Sequence, residues 1–476
     1  MMKNIINMTF VAAATLIMNS CSDFLDSKSQ DEVIPSTATD FGELLLGSGY
    51  PSENSNPYSG LRFMEDDFSF RTEDNLAVGS TEAQQTYYIY TWQPNMFRAN
   101  EITALSATAY YQIYERIKGC NAVLDYIDEA VGTEAQRDRI KAEALAIRSY
   151  HYLMLVNIYG EPYNSNKLAP GVPLKLTSVL SESGIPRPTV EEVYKQIVND
   201  LKESIQLFSK YNVTRGDFRI NLPSAYILLS RVYLYMEQWD KCIEASTEAI
   251  RTGGVLTDMT VSGAVTLNID YGMSEVNWVF GSSENGSTTS FGFSDEFVAL
   301  FSPDDYRVKN TFLSPSYSWD GVFQYYILSK GISTQSLPGK SLRTSEAYLN
   351  RAEAYAHSNS SAQQALNDYN TLRRHRIAPY TDIALNQIPD LLQEIRNERR
   401  RELCFEGHRW FDLRRYGMPE IKHLYRTDLS SPVQTYTLRK GDPMYTLPIP
   451  ESVLEKNRNL IQNASAQSPE RQGTTN

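Results

Sequence analysis

The sequence predicts a mainly α-helical protein, a scaffold of helical hairpins interrupted by long loop-rich segments and small β insertions. Three observations lead to this fold class. Apolar residues recur at helical spacing over about 104–159, 189–251 and 344–406. Residues 255–340 are rich in Gly, Ser, Thr and aromatics and keep no helical period. An arginine and a tyrosine recur at fixed spacing in three of the predicted helices.

The N-terminal segment is typical of a bacterial lipoprotein signal. Lys3 precedes a short apolar stretch that is too brief for a membrane span and that ends in Ser20-Cys21. We expect residues 1–20 to be a signal peptide and the thiol of Cys21 to be acylated after cleavage, so that lipid alone anchors the chain. Residues 21–60, rich in Ser, Asp, Asn, Gly and Pro, are expected to form a lipidated tether and N-terminal loops.

The first helical region spans about 104–159, and the Gly-Glu-Pro sequence at 160–162 ends it, because Gly and Pro rarely continue a helix. Thr189 and Glu192 have the spacing of a capping box and start a helix that runs to about Phe208. The later predicted helices lie at about 223–237, 239–251, 344–357, 362–376 and 388–406.

One side-chain pattern recurs in three of these helices. A small or apolar residue, an arginine and a tyrosine stand at i, i+4 and i+8, on one helix face. The copies are Ala144, Arg148 and Tyr152; Ile227, Arg231 and Tyr235; and Ala347, Arg351 and Tyr355. Helix–turn–helix units of this kind resemble tetratricopeptide repeats, but the copies lie much further apart than the repeat of about 34 residues. The pattern therefore predicts helical hairpins separated by long insertions.

Composition argues against several function classes. The formal net charge is −12, from 45 Lys+Arg and 57 Asp+Glu, and nucleic acid requires a basic surface. With 5 His and 4 Cys, we expect neither a multi-histidine metal site nor a disulfide scaffold. Cys120, Cys242 and Cys404 stand in apolar helical sequence and are predicted to be buried. No P-loop, zinc-protease or serine-hydrolase motif occurs, and we expect no cofactor or metal.

The densest charged segment, 396–415, allows two interpretations. Glu398, Glu402 and Glu406 stand four residues apart on one helix face among arginines. A surface glycosidase would use two of these carboxylates as acid and base, with His408 as a proton shuttle. Arginines keep carboxylates ionised, however, whereas a general acid needs a raised pKa. We therefore favour a structural ion-pair network and predict no catalytic residues.

Aromatic residues in polar sequence are the candidates for ligand binding. Aromatic faces stack on the C–H faces of sugar rings, while Asn, Asp, Gln and Arg bind the hydroxyls. The predicted binding residues are Trp92, Asn95, Phe291, Phe293, Tyr317 and Trp319. Trp319 is the first choice because polar and turn residues flank it, whereas Trp278 lies in an apolar, strand-like run and is predicted to be core.

Several segments together resemble one family, the SusD/RagB-type outer-membrane nutrient-binding lipoproteins of Bacteroidota. They occur in the family's order: SCSDFLD at 20–26, YERIKGCN at 114–121, AEALAIR at 142–148 with Tyr159-Gly160, YLNRAEAY at 348–355, RELCFEGHRWFDLRRYG at 401–417, and LPIP at 447–450 with Asn463. The segment at 401–417 is the most specific of them. These motifs belong to the scaffold, so the resemblance transfers no ligand-binding residue by position.

The resemblance implies a single SusD-like body over 61–476, with a tetratricopeptide-like scaffold at about 100–253 and 340–420 and the ligand-side insertion at about 255–340. It also implies a non-enzymatic outer-membrane lipoprotein that faces the cell exterior. Such a protein binds oligosaccharides or polysaccharide and delivers them to a TonB-dependent SusC/RagA-like transporter. A RagB-like peptide-binding lipoprotein is the alternative, and a surface glycosidase is a further one.

Overall fold

The computed structural model describes residues 35–51, 58–97, 108–179, 184–261, 271–282, 290–308, 313–317, 323–328, 338–357 and 361–475. Cys21 and Trp319 lie outside these residues. The α-helices described are α1 (Ala38–Ser48), α2 (Thr81–Tyr90), α3 (Thr108–Leu124), α4 (Glu134–Tyr159), α5 (Tyr163–Asn166), α6 (Val190–Lys210), α7 (Leu222–Tyr235), α8 (Trp239–Thr252), α9 (Asp295–Val298), α10 (Thr344–Ala356), α11 (Ala362–Arg374), α12 (Leu391–Glu402), α13 (Arg409–Arg415) and α14 (Glu451–Lys456). None of the helices described is long and apolar enough to cross a membrane.

The long helices pack in chain order as antiparallel hairpins, which confirms the predicted fold class. Helix α4 lies between α3 and α6, α7 packs on α6 and α8, and α10 packs on α8, α11 and α12. The apolar faces of α4 and α7 are buried almost along their whole length, because each contacts neighbouring helices on two sides. Cys120, Cys242 and Cys404 are buried and free, as predicted.

Each recurring arginine joins its own helix to another helix that packs on it. Each forms two parallel hydrogen bonds to a carboxylate of another helix, a geometry in which the planar guanidinium binds most strongly. The pairs are Arg148 with Asp200, Arg231 with Glu346, and Arg351 with Asp368, at distances of 2.6–2.8 Å. The arginine of the predicted pattern therefore fixes the contact between two packed helices.

The capping box predicted at the start of α6 is present. The Oγ1 of Thr189 accepts a hydrogen bond from the Glu192 backbone N–H at 3.2 Å, and the Glu192 carboxylate accepts one from the Thr189 N–H at 2.8 Å. We expect Thr189→Ala to lower the free energy of unfolding by about 1 kcal/mol, since it exposes an N–H that the helix cannot satisfy. Urea denaturation followed by circular dichroism measures the change. Thr214→Ala, at an exposed position beyond the same helix, is the control, and an equal loss in both variants would contradict the role of the cap.

Small antiparallel sheets accompany the helices. The strands are β1 (Phe68–Phe70), β2 (Val276–Ser282), β3 (Phe291–Phe293), β4 (Leu313–Tyr317), β5 (Phe323–Leu328), β6 (Pro338–Arg343), β7 (Ile421–Tyr425), β8 (Gln434–Leu438) and β9 (Thr474–Thr475). They pair as β1-β3, β2-β6, β4-β5 and β7-β8-β9. Strand β2 carries Trp278, which is fully buried, as predicted. The predicted β insertions are therefore β2 to β6, within the loop-rich part of the chain.

Two helices occupy segments in which no helix was predicted. Helix α1 lies within 21–60, where a tether was expected; Thr37 caps it, and Phe41 and Leu45 bury their side chains against α3 and α4. Helix α2 ends just before the predicted binding residues Trp92 and Asn95, and its Ile89 and Tyr90 face the core. Both helices span only about three turns, too few for an apolar period to stand out in sequence.

Candidate ligand-binding site

The carboxylates of the charged segment are buried among arginines. Glu402, on α12, is fully buried and accepts hydrogen bonds from Arg307, Arg343 and Arg376 at 2.6–3.0 Å. The ion pairs extend into a cluster of five arginines and five carboxylates, which we call the buried ion cluster: Arg307, Arg343, Arg373, Arg376, Arg401, Glu275, Asp305, Glu398, Glu402 and Glu406. These ten residues carry five positive and five negative formal charges.

Electrostatics in the buried ion cluster confirm the structural interpretation of this segment. Burial by itself raises a carboxyl pKa, but the attraction of Arg376 and Arg343 is stronger and holds the pKa of Glu402 well below its ordinary value. The pKa of Glu398 is lowered in the same way, mainly by Arg307 against the cost of burial. Both carboxylates are ionised and closed off from solvent, so neither has a proton to donate as a general acid.

Trp92 is a core residue. Its side chain has no exposed surface, its indole ring stacks on His423 with 4.1 Å between centroids, and its Nε1 donates a hydrogen bond to the Met64 carbonyl at 3.0 Å. His423 lies between Trp92 and Tyr90, since it stacks on the Tyr90 ring as well. The indole therefore offers no face to a sugar, which corrects the prediction that Trp92 contacts ligand.

Phe291 and Phe293 also belong to the core. They lie on β3, which pairs with β1 so that Phe293 stands opposite Phe68, and their exposures are 0% and 9%. The ring of Phe291 packs on Phe63 and that of Phe293 on Phe405, each with 4.8 Å between centroids. These contacts join the N-terminal strand to the motif at 401–417. The polar sequence around the two phenylalanines had suggested a binding loop, and their burial corrects that prediction.

Asn95 lies in a groove, unlike the three buried aromatics. The groove has a volume of about 550 Å³ and lies between the loop after α2 and helix α14. We call it the Asn95 groove; it is lined by Pro94, Asn95, Phe97, Pro448, Ile449, Pro450, Glu451, Ser452, Leu454, Glu455, Gln462 and Ala466. The structure thus places one of the predicted binding residues at an open, concave surface.

Side-chain amides hold the walls of the Asn95 groove together. The Nδ2 of Asn95 donates to the Glu470 carboxylate at 3.1 Å. The Gln93 amide exchanges two hydrogen bonds of 2.9 Å with the backbone of Arg471, and Gln93 itself is buried. The Gln462 amide forms two hydrogen bonds of 2.8 Å with the backbone of Ile449. These bonds hold the C-terminal segment against the loop at 91–95. Both walls of the groove are therefore in place before any ligand binds.

The chemistry of the Asn95 groove suits a ligand with both apolar and polar faces. Phe97 and Leu454 are partly buried and present apolar surface, while Glu451, Glu455 and Gln462 present hydrogen-bonding groups. The Oδ1 of Asn95 is buried and accepts no hydrogen bond in the part of the chain that the structure describes. Sugars carry both kinds of surface.

Two of the predicted binding residues stay predictions. Tyr317 lies on β4, but its side chain, like all of Trp319, is outside the described residues. Sequence reasoning missed the wall of the groove at 448–462, because nothing local connects it to Asn95. The available signal was LPIP at 447–450, where two prolines favour extended backbone and rule out a continuous helix.

Comparison with known proteins identifies the group to which the chain belongs. One family model, described as starch-binding and associating with the outer membrane, matches residues 23–234, and the SusD family model matches residues 320–465. The chain belongs to the SusD family. The Asn95 groove forms where the two matched regions meet, since Asn95 lies in the first and its opposite wall in the second.

Solved structures share the SusD fold of the chain. A SusD superfamily protein from Bacteroides thetaiotaomicron is 22% identical with a TM-score of 0.73, over 90% of this chain and 99% of that one. A putative sugar binding protein from Bacteroides vulgatus is 23% identical with a TM-score of 0.69, over 91% and 99%. A SusD-like carbohydrate binding protein from the same species is 25% identical with a TM-score of 0.65, over 89% and 97%. No curated protein sequence matches the chain.

Proposed function

We propose that this SusD-family protein is a cell-surface lipoprotein that binds oligosaccharides and passes them to a TonB-dependent, SusC-like transporter of the outer membrane. The observation that carries the proposal is the Asn95 groove, a preformed concave site with apolar walls and an amide at its edge. The ligand class is supported by the first family model, which is described as starch-binding, and by two structural relatives described as sugar- and carbohydrate-binding proteins.

Binding without catalysis is part of the proposal. A glycosidase needs two carboxylates that face each other across the scissile bond. In the Asn95 groove, Glu451 and Glu455 stand four residues apart on α14, so they lie on one face of the same short helix. The carboxylates of the buried ion cluster are shut away from solvent. We therefore propose that the ligand leaves the groove unchanged.

Delivery and anchoring are proposed from the sequence. Acylation of Cys21 would hold the protein at the outer membrane, facing the exterior, and place its ligand beside the transporter. The proposed anchoring predicts that Cys21 is the N-terminal residue and is acylated. Mass spectrometry of the purified protein tests this. Copurification of a TonB-dependent barrel with the tagged protein tests the partnership.

Asn95→Ala is expected to weaken oligosaccharide binding at least about tenfold, because a hydrogen bond to a polar ligand contributes on the order of 1.5 kcal/mol. A neutral oligosaccharide selected on a glycan array is the probe, and isothermal titration calorimetry gives the affinity. Asn199→Ala, which removes an exposed asparagine from α6, is the matched control and should bind like the natural protein.

Three results would contradict this proposal. Equal affinity of Asn95→Ala and the natural protein would exclude the groove as the site. A protein that binds peptides and no glycan would be a peptide-binding protein. Release of reducing sugar by the purified protein would show that it is an enzyme. Trp319→Ala is measured beside these variants, as an independent test of the aromatic predicted from sequence.

A further inference from the structure

A second groove lies along the same C-terminal segment as the Asn95 groove. Its volume is about 880 Å³, and it covers the solvent side of β8 and β9. Along β8, Thr435 and Thr437 alternate with the buried Tyr436 and Leu438, so the threonine side chains form part of the groove surface. We call this surface the β8 groove.

The two grooves adjoin each other at Asn95. The side chain of Glu470 lines the β8 groove and accepts the hydrogen bond that Asn95 donates from the other groove, at 3.1 Å. Ala466 lines the Asn95 groove, and Ser468 and Pro469 line the β8 groove. A few residues of the C-terminal segment therefore separate two concave surfaces, and one extended ligand can occupy both.

Two of the three carboxylates of the β8 groove are paired with cations. Glu420 pairs with Lys422 at 3.2 Å, and Asp442 pairs with Arg471 at 3.1 Å. Glu470 accepts the hydrogen bond from Asn95 described above. The Asn95 amide is neutral, so Glu470 keeps its negative charge where the two grooves adjoin.

Two cations of the β8 groove have no such partner. Arg439 and Lys440 are exposed, line the groove, and form no ion pair with any residue that the structure describes. The groove lining holds three cations and three carboxylates, whereas the protein as a whole carries a net charge of −12. Two cations without an ion pair, beside two threonine hydroxyls, match a sugar that bears a negative group.

We propose that the β8 groove is a second subsite for the same oligosaccharide, in which Arg439 and Lys440 bind an anionic group on the sugar. The group is a uronate carboxylate or a sulfate ester, because both offer oxygens that a guanidinium and an ammonium bind. Thr435 and Thr437 bind the neighbouring hydroxyls. This inference rests on the proposed function and narrows its ligand to an acidic oligosaccharide that spans both grooves.

The test compares three probes on the purified protein by isothermal titration calorimetry. They are neutral β-1,4-galacto-oligosaccharides, oligogalacturonides and κ-carrageenan oligosaccharides, which carry respectively no charge, a carboxylate and a sulfate. We expect at least one anionic probe to bind about tenfold more tightly than the neutral one, and rising NaCl to reduce that difference. Preference for oligogalacturonide identifies the carboxylate, and preference for carrageenan identifies the sulfate.

The double variant Arg439→Ala/Lys440→Ala should lose the preference for the anionic probe and keep the affinity for the neutral one. Lys195→Ala/Arg251→Ala removes the same charges from exposed positions on α6 and α8, and should keep the preference. Equal binding of neutral and anionic probes, or a preference that survives the first double variant, overturns this inference and leaves the proposed function standing. Failure of every glycan to bind overturns both.

Discussion

Replacing Glu402 with glutamine is expected to lower the free energy of unfolding by about 3–5 kcal/mol, the range for breaking a buried ion pair on one side. The substitution keeps the shape of the side chain and removes one negative charge. Arg307, Arg343 and Arg376, which all donate to Glu402, then lose one of the negative charges that neutralise them. No solvent reaches these groups to compensate it, since Glu402 and the three arginines are fully buried.

Urea denaturation followed by circular dichroism measures this effect, with Glu394→Gln as the control. Glu394 lies on the same helix, its side chain is 41% exposed, and its nearest ion-pair partner, Arg401, is 4.0 Å away. Because the Glu394 carboxylate is partly solvated and its contact with the buried Arg401 is long, we expect it to contribute less than about 1 kcal/mol. Equal midpoints for Glu402→Gln and the natural protein would show that the cluster does not stabilise the fold.

Trp92→Ala is expected to lower the free energy of unfolding by about 3–5 kcal/mol, the range for emptying the site of a large aromatic in a core. The variant loses the stacking on His423 and leaves the Met64 carbonyl without its indole donor. Trp239→Ala is the matched control. The Trp239 ring is only partly buried, where it stacks on His357 at the surface of the scaffold.

Thermal unfolding and glycan binding are measured on both tryptophan variants. We expect the transition of Trp92→Ala to fall much further than that of Trp239→Ala. A Trp92→Ala protein that unfolds like the natural one but no longer binds glycan would contradict the core assignment and restore Trp92 as a binding residue.

Local pattern in the sequence was enough to predict most of the scaffold. The Arg-xxx-Tyr spacing identified Arg148, Arg231 and Arg351, and the capping box at Thr189 marked the start of α6, because both signals lie within one or two helical turns. The prediction that Glu402 forms ion pairs also came from neighbouring residues in the sequence, the arginines of 396–415. Its actual partners, such as Arg307, come from other parts of the chain, so the extent of the cluster was not predictable.

The binding residues were harder to predict because burial depends on distant partners. Phe291 looks like a loop aromatic in its own sequence, yet it becomes core when β3 pairs with β1, more than 200 residues earlier in the chain. Trp92 and Asn95 stand three residues apart in the same polar segment, and only the fold separates them into a core residue and a groove residue. Residue spacing and composition alone do not distinguish a core position from a groove position here.

The hydrogen bond between Asn95 and Glu470 spans 375 positions of the chain. Contacts of such separation close a long loop, so they form late relative to the helical hairpins. During synthesis, a partial chain can therefore possess much of the scaffold while the groove still lacks one wall. Under the proposed function, a copy truncated before residue 448 would keep most of the helices and offer a ligand only an incomplete groove.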